Sequence, residues 1–260
     1  SSTGYAGFEV STINGVSHGM WNEKEAQQSS TWRELVAVYR VLLSLVHILK
    51  NQRVKWFTDN QGTRSIVMKG SMKEDLQAVA YSIFVLCMEN AISLEIEWIP
   101  RTENEKADYL SRIVDFDDWG ISSDILFLLQ REFGNFEVDW FASDYNAKLP
   151  VFYSRFWNPS CTGIDAFAEY WGDKFGLFVP PISIIHRVLR KMRTDRAKGL
   201  LVVPYWKSEV FWPLLCPDGH FIGEVEQIID IPTQKEFYVR CKNGKGIFGN
   251  VDLNLRMLAI

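Results

Sequence analysis

Three acidic residues stand where a folded chain has to account for them: Glu34, Asp59 and Asp108. In the stretch "STWRELVAVYRVL", the residues three and four positions from Glu34 are Ser30, Thr31, Ala37 and Val38. A helix therefore turns Glu34 toward its apolar side, away from the stripe of Arg33, Arg40, Ser44 and His47. Asp59 ends the apolar strand pattern "VKWFTD", and Asp108 follows Ala107 in "NEKADYLSR". A carboxylate among apolar residues must be neutralised, paired or bound to a cation. Three acids converging at one end of a sheet repel one another, so such a cluster calls for a cation. Oxygen donors with no cysteine or histidine nearby suit magnesium or manganese. Two such ions, roughly 3.5 to 4 Å apart, would activate water and steady the leaving oxygen of a phosphodiester.

Each acid also has a structural reading. Thr31-Trp32-Arg33-Glu34 matches the S/T-x-x-E capping box, Asp59 can cap the helix that follows it, and Asp108 can pair with Arg112 one helical turn on. Spacing alone leaves both readings open. The run "SIIHRVLRKMRTDRAKG" carries Arg187, Arg190, Lys191, Arg193, Arg196 and Lys198 against the single acid Asp195. It reads either as a phosphate-contacting surface or as a solvated helix face, the more frequent origin of such runs. His18, His47 and His186 show no metal-ligand spacing. Ten tryptophans suit cores more than base-stacking platforms, although Trp21 and Trp32 flank the acidic stretch.

The elements that must position these residues follow from the pattern. The chain has 260 residues, 47% of them hydrophobic, enough for one large core or two modest ones. Its net charge of -4 provides no global positive field, so any nucleic-acid contact has to be local. Cys87, Cys161, Cys216 and Cys241 form no CxxC pair, which argues against a zinc knuckle and a disulfide framework and for a reducing compartment. With no leader pattern and no apolar run of bilayer length, the expected location is intracellular, cytoplasmic or nuclear, without membrane insertion. The opening "SSTGYAGFEV" begins almost inside a strand pattern and lacks a methionine, as in a piece of a longer protein.

The order read from the pattern is a β-hairpin around Asn14-Gly15, a long helix over 30–50, the strand "RVKWFTD", helices near 60–69 and 72–90, the strand "SLEIEWIP" and a helix in "TENEKADYLSR". This is a mixed sheet with flanking helices. After the acidic stretch "VDFDDWG", strands and helices alternate again through "FEVDWFAS", "GIDAFAEYW", "FVPP", a helix over 182–197 and "GLLVVPYW". A second hairpin signal, Asn243-Gly244, lies in the tail.

Taken in order, "STWRELVAVYRVL", "VKWFTDNQGT" and "WIPRTENEKADYLSR" resemble the ribonuclease H domain of retroelement reverse transcriptases, the N-x-x-A-D-x-L-S-R form being the most specific. "DDWGIS", "VDWFASDYNAKLPVFYSRFW", "GIDAF", "VPP" and "VVPYWKSEVFWPLL" resemble the Dam-like methyltransferase region that follows it in DIRS-type retrotransposons. The resemblance covers about residues 1–220. It implies an α/β chain divided into a ribonuclease H-like domain (1–115), a linker and helix (116–134), a small degenerate methyltransferase-like α/β domain (135–217) and a small β element (218–260). It implies that Glu34, Asp59 and Asp108 are catalytic carboxylates holding two Mg2+ or Mn2+ ions, that the substrate is an RNA-DNA hybrid cleaved in its RNA strand during reverse transcription, and that a polymerase domain lies upstream. The family's first catalytic aspartate falls about two residues before Ser1.

In the second region, Asp139 to Ser143 with Asn146 match the methyltransferases' cofactor side, and Asp165 with Trp171 match the lead-in to the catalytic loop. That loop needs N-P-P-Y or D-P-P-Y, whereas this chain has Val179-Pro180-Pro181-Ile182. Valine cannot accept a bond from a target amine and isoleucine has no π-face for a flipped base, so S-adenosylmethionine is not expected. Nucleic-acid contact is assigned to Arg187, Arg190, Lys191 and Arg193. The alternative is a noncatalytic nucleic-acid-binding or scaffold fragment derived from a retrotransposon.

Overall fold

A computed structural model of the chain describes residues 2–10, 15–113, 117–232, 234, 237–239 and 256–260. Asn14 of the first hairpin turn, the Asn243-Gly244 signal and Cys241 lie outside the described residues. The chain divides into two units: Ser1–Ile113 with Phe156–Ser160, and Val114–Arg155 with Cys161–Ile260.

In the first unit, β1 (Gly4–Phe8) and β2 (Val16–Met20) pair antiparallel from Gly4↔Met20 to Phe8↔Val16. A short α1 (Glu23–Ala26) leads to α2 (Ser30–Ser44) and a one-turn α3 (Val46–Leu49). The long helix read over 30–50 is thus broken at Leu45, and Ser44 is buried, its hydroxyl donating to the Arg40 carbonyl at 2.7 Å. A serine turned back on its own helix in this way leaves the wet stripe and tends to bend the helix.

Next come β3 (Arg53–Thr58), α4 (Gln61–Lys69), α5 (Glu74–Glu89), β4 (Ser93–Trp98) and α6 (Glu105–Leu110). Strands β3 and β4 run parallel from Arg53↔Ser93 to Thr58↔Trp98, an arrangement that requires the α4–α5 crossover. Alternation along β3 leaves Arg53, Lys55 and Phe57 exposed while Val54, Trp56 and Thr58 turn inward. Across the exposed face Arg53 meets Glu95 at 3.3 Å and Lys55 meets Glu97 at 2.5 Å. The core joins Leu35, Val38, Val41 and Leu42 of α2 to Tyr5, Trp21, Ile83, Leu86 and Ile96. Truncating Leu35, fully buried, would cost about 2 to 5 kcal/mol on the general scale for leucine-to-alanine cavities.

In the second unit the described strands are β5 (Gly120–Ile121), β6 (Val138–Asp139), β7 (Tyr153–Ser154), β8 (Gly163–Ile164), β9 (Phe175–Phe178), β10 (Lys198–Pro204), β11 (Ile229–Ile231), β12 (Tyr238–Val239) and β13 (Met257–Ala259). Helices α7 (Ser123–Phe133), α8 (Ile185–Asp195) and α9 (Trp212–Leu215) accompany them. The main sheet has the order β11-β13-β10-β9-β6, with β6, β9 and β10 parallel and β13 antiparallel to both of its neighbours. Residues 116–134 and 218–260, read from sequence as a separate linker and a separate β element, contribute α7, β11 and β13 to this unit. The physical reason is apolar: Met257, Leu258 and Ala259 are at most 1% exposed, and Ile125, Leu126 and Leu129 of α7 share a core with Leu177 and Val202. The chain is a mixed α/β protein with helices and mixed sheets.

Candidate functional site

Helix α2 starts one turn before Glu34. Ser29 caps it, its hydroxyl accepting from the Trp32 N–H at 3.1 Å, so the Thr31–Glu34 capping box is not formed. Glu34 lies beyond that turn and is half-buried. Burial above all, together with the negative charges of Asp59 and Asp108, pushes its carboxyl above the usual range, against the pull of Arg33.

Asp59 follows the last residue of β3 and is not the cap of α4 either. Asn60 does that work, its side-chain oxygen accepting from the Thr63 N–H at 3.0 Å. Asp59 is held from two sides: its carbonyl accepts from Trp98 Nε1 at 3.0 Å, and its Oδ1 accepts from Asn104 Nδ2 at 3.4 Å. The start of α4 lies close against the start of α2, because a Cβ on Gly62 would stand 3.4 Å from Thr31 Cγ2 and 3.0 Å from Asn60 Oδ1. A side chain at 62 would press on the Asn60 side-chain oxygen, which caps α4 and would have to give by a few tenths of an ångström.

Asp108, on α6, makes the ion pair that its spacing suggested, accepting from Arg112 at 2.6 Å, with Arg101 at 3.7 Å. Its charge nevertheless reaches Glu34. The fold thus brings Glu34, Asp59 and Asp108 into one electrostatic neighbourhood. Among the described residues, however, no three His, Cys, Asp or Glu side chains are grouped closely enough to hold a metal ion. The donors are all hard oxygens, which suits Mg2+ or Mn2+, but Asp108 would have to give up its arginine to join Glu34 and Asp59 as a ligand.

Trp21, flanking this region, is only 5% exposed, and the Arg40 guanidinium lies 5.3 Å from both its ring and that of Tyr5 while pairing with Glu25. It is a core residue. His47 packs on Trp157 with ring centroids 4.0 Å apart.

In the second unit, Asp139 closes β6. Its Oδ2 accepts from the Lys148 N–H at 3.2 Å, and burial pushes its carboxyl up to about 7. Asn146 is buried, its Oδ1 accepting from the Ser143 N–H at 2.6 Å and its Nδ2 donating to Asp118 Oδ1 and to the Trp119 carbonyl, each at 3.0 Å. Asp118 also accepts from the Ser143 and Tyr145 hydroxyls. Asp165 serves its own turn, accepting from the Phe167 N–H at 3.2 Å. In the Pro180-Pro181 loop, Val179 and Ile182 are buried, and the Pro180 carbonyl accepts from Trp119 Nε1 at 2.9 Å. Valine supplies no acceptor there and the neighbouring carbonyl is already engaged, so the residues present do not fit methyl-transfer chemistry with S-adenosylmethionine.

Sequence reasoning missed Asp118, which it placed in an acidic linker. The one sequence signal was the apolar pair Trp119 and Ile121 directly after Asp117-Asp118, the start of a strand rather than of a linker.

On α8 the basic residues divide. Lys191 pairs with Asp195 at 2.8 Å and Arg193 with Glu224 at 3.2 Å, while Arg187 covers the Phe167 ring at 4.3 Å and Arg190 is exposed. No described helix is long and apolar enough to cross a membrane. No protein-family model, curated protein or solved structure matches this chain.

Proposed function

We propose that the first unit is a ribonuclease H module of a retroelement reverse transcriptase, hydrolysing the RNA strand of RNA-DNA hybrids, with Glu34, Asp59 and Asp108 as its carboxylates. The observation that carries the reading is the charge shared by these three acids, to which Glu34 responds through burial and through Asp59 and Asp108. Two structural explanations are taken by other residues, since Ser29 and Asn60 cap the helices that Glu34 and Asp59 could have capped. The strand and helix order, with parallel β3 and β4 joined through α4 and α5, supports the reading; among the described residues β1–β2 and β3–β4 form two separate two-stranded sheets instead of the single mixed sheet the pattern predicts.

Glu34, Asp59 and Asp108 would hold Mg2+ or Mn2+, together with the acid that the resemblance places upstream of Ser1. Bound there, the cation would polarise the scissile phosphate and lower the pKa of an attacking water. The chain's own part is to hold carboxylates in a half-buried setting where clustered negative charge is costly and a cation relieves it. Hybrid recognition through backbone and 2'-hydroxyl needs no base readout, which suits a chain of net charge -4 with only local basic surface. An upstream polymerase domain is part of this reading.

The noncatalytic alternative draws on one observation, the engagement of Asp108 by Arg112. A cleavage assay decides between them, using a labelled hybrid, magnesium, and protein extended upstream to include the expected aspartate. Asp59→Asn should lower the rate by at least the ~10- to 100-fold that loss of even an outer-shell partner of a metal ligand costs. Unchanged cleavage in that variant removes Asp59 from the site, and absence of cleavage in the extended parent protein favours the scaffold.

A further inference from the structure

The basic helix of the second unit contributes nothing to the carboxylate site as argued above, and the structure sorts its charges. Lys191 and Arg193 have acidic partners. Arg187 and Arg190 have none among the described residues; both are exposed and, three positions apart, share a face of α8. Arg187 does not simply extend into water. Its guanidinium lies over the Phe167 ring at 4.3 Å, and Phe167 meets Phe141 edge-on with ring centroids 5.6 Å apart. Both phenylalanines are half-buried, and both rest on Trp171, which is fully buried, at 5.6 and 5.8 Å. The outer layer is therefore an exposed guanidinium plane backed by a ring that itself packs on a buried aromatic cluster.

The segment that delivers Phe167 adds a second indication. Asp165 adopts a left-handed backbone, φ 54°, and its side chain accepts from the Phe167 N–H at 3.2 Å. A non-glycine residue in this region is uncommon and must be held there by its surroundings. Here it fixes the turn that places a half-exposed ring under an arginine.

We propose that Arg187, held over Phe167, and Arg190 form a binding surface for single-stranded nucleic acid, in which an unpaired base stacks on the outer face of the Arg187 guanidinium while Arg190 contacts phosphate. The chemistry selects this occupant. A guanidinium plane held over a ring offers its outer face for stacking, and the face of an unpaired base can meet it, whereas in a duplex that face is hidden by the neighbouring pairs. An acidic peptide would use the charges but leave the outer plane of the Arg187 guanidinium without a stacking partner. Arg196 and Lys198, exposed just beyond α8, continue the positive track. The surface does not rest on the carboxylate reading, because stacking and phosphate contact need no divalent ion.

The test is fluorescence anisotropy of a dye-labelled oligothymidylate with the full chain in EDTA, at several salt concentrations. Binding should weaken as salt rises. Arg190→Gln should flatten the slope of log K against log salt by about 0.7, the value for one single-strand phosphate, and Arg187→Gln should lower affinity by about tenfold, as loss of a stacked base does. Phe167→Leu should lower affinity by about tenfold at an unchanged slope, in line with loss of one stacked base. Arg53→Gln, on the first unit's exposed strand, should leave binding as it was. Arg190 is exposed and makes no ion pair among the described residues, so its variant keeps the fold and reads the contact alone. The proposal is overturned if Arg190→Gln and Arg187→Gln bind as the parent does, if the parent does not bind, or if blunt duplex or phosphatidylserine vesicles compete as well as the single strand.

Discussion

Asp118 and Asp195 in the second unit are engaged by the fold itself: Asp118 accepts from Ser143, Tyr145 and Asn146, and Asp195 accepts from Lys191 Nζ and the Trp171 N–H. In the first unit the helix starts are capped by Ser29 and Asn60, and Glu34 and Asp59 stand beside them without that role. The difference is one of purpose. An acid whose oxygens meet backbone N–H groups and an internal cation is explained by stability, because those bonds offset its desolvation. A half-buried acid such as Glu34, whose carboxyl is raised by burial and by the charges of Asp59 and Asp108, is not explained that way, and such placement is typical of sites that act on something else. Asp108 stands between the two cases, paired with Arg112 yet felt by Glu34.

Three measurements sharpen or break this contrast. The largest effect belongs to Asp195→Ala, which leaves Lys191 without its partner and the buried Trp171 N–H without its acceptor. A stability loss of about 3 kcal/mol is expected in urea denaturation, the general cost of opening a buried pair from one side. A loss within experimental error would mean that acids of the second unit are no more structural than those of the first.

The second concerns Asp139. Burial raises its carboxyl to about 7 in the folded chain, so the folded state keeps a proton that the unfolded state releases at lower pH. Stability from this group is therefore greatest toward the acid side and falls as pH rises toward 7, levelling off above it. Between about pH 5 and about pH 8 the drop should be about 1 kcal/mol or more, the equivalent of one pKa unit. Asp139→Asn should flatten that dependence, and an unaltered pH profile would show that Asp139 is not the group responsible.

The smallest effect is also the most direct comparison within one loop. Asn60→Ala should cost about 1 kcal/mol, as loss of an N-cap does, while its neighbour Asp59→Asn should change stability by less than about 0.5 kcal/mol. If the order is reversed in denaturation midpoints, Asp59 is the structural residue of the pair.

Much of the first unit was legible in the sequence. Alternation fixed β3 and β4, and the apolar periodicity of α2 located Leu35, Val38 and Leu42 in the core. What misled was local: S/T-x-x-E at 31–34 is a sound capping pattern, but Ser29 reaches the helix start first, and the pattern carries no information about which of two hydroxyl residues wins. The break at Leu45 was hidden for a similar reason, since the apolar positions on either side keep a helical period. In the second unit the tail was harder still. Met257, Leu258 and Ala259 give a short apolar run with no period of its own, and only the antiparallel pairing with β10 explains why it is buried.

By itself, then, the sequence determined the residue types available for chemistry, the hard-oxygen character of the acids at 34, 59 and 108, and the lack of a side-chain hydrogen-bond acceptor at Val179. Those are properties of side chains and hold in any fold. Tertiary structure decided which acids are engaged and which share a field, that α7 and β13 belong to the second unit, and that Arg187 lies on Phe167 rather than in open water. Such outcomes depend on burial and on partners distant in the chain, and burial sets both the cost of a charge and the strength of the contacts that offset it.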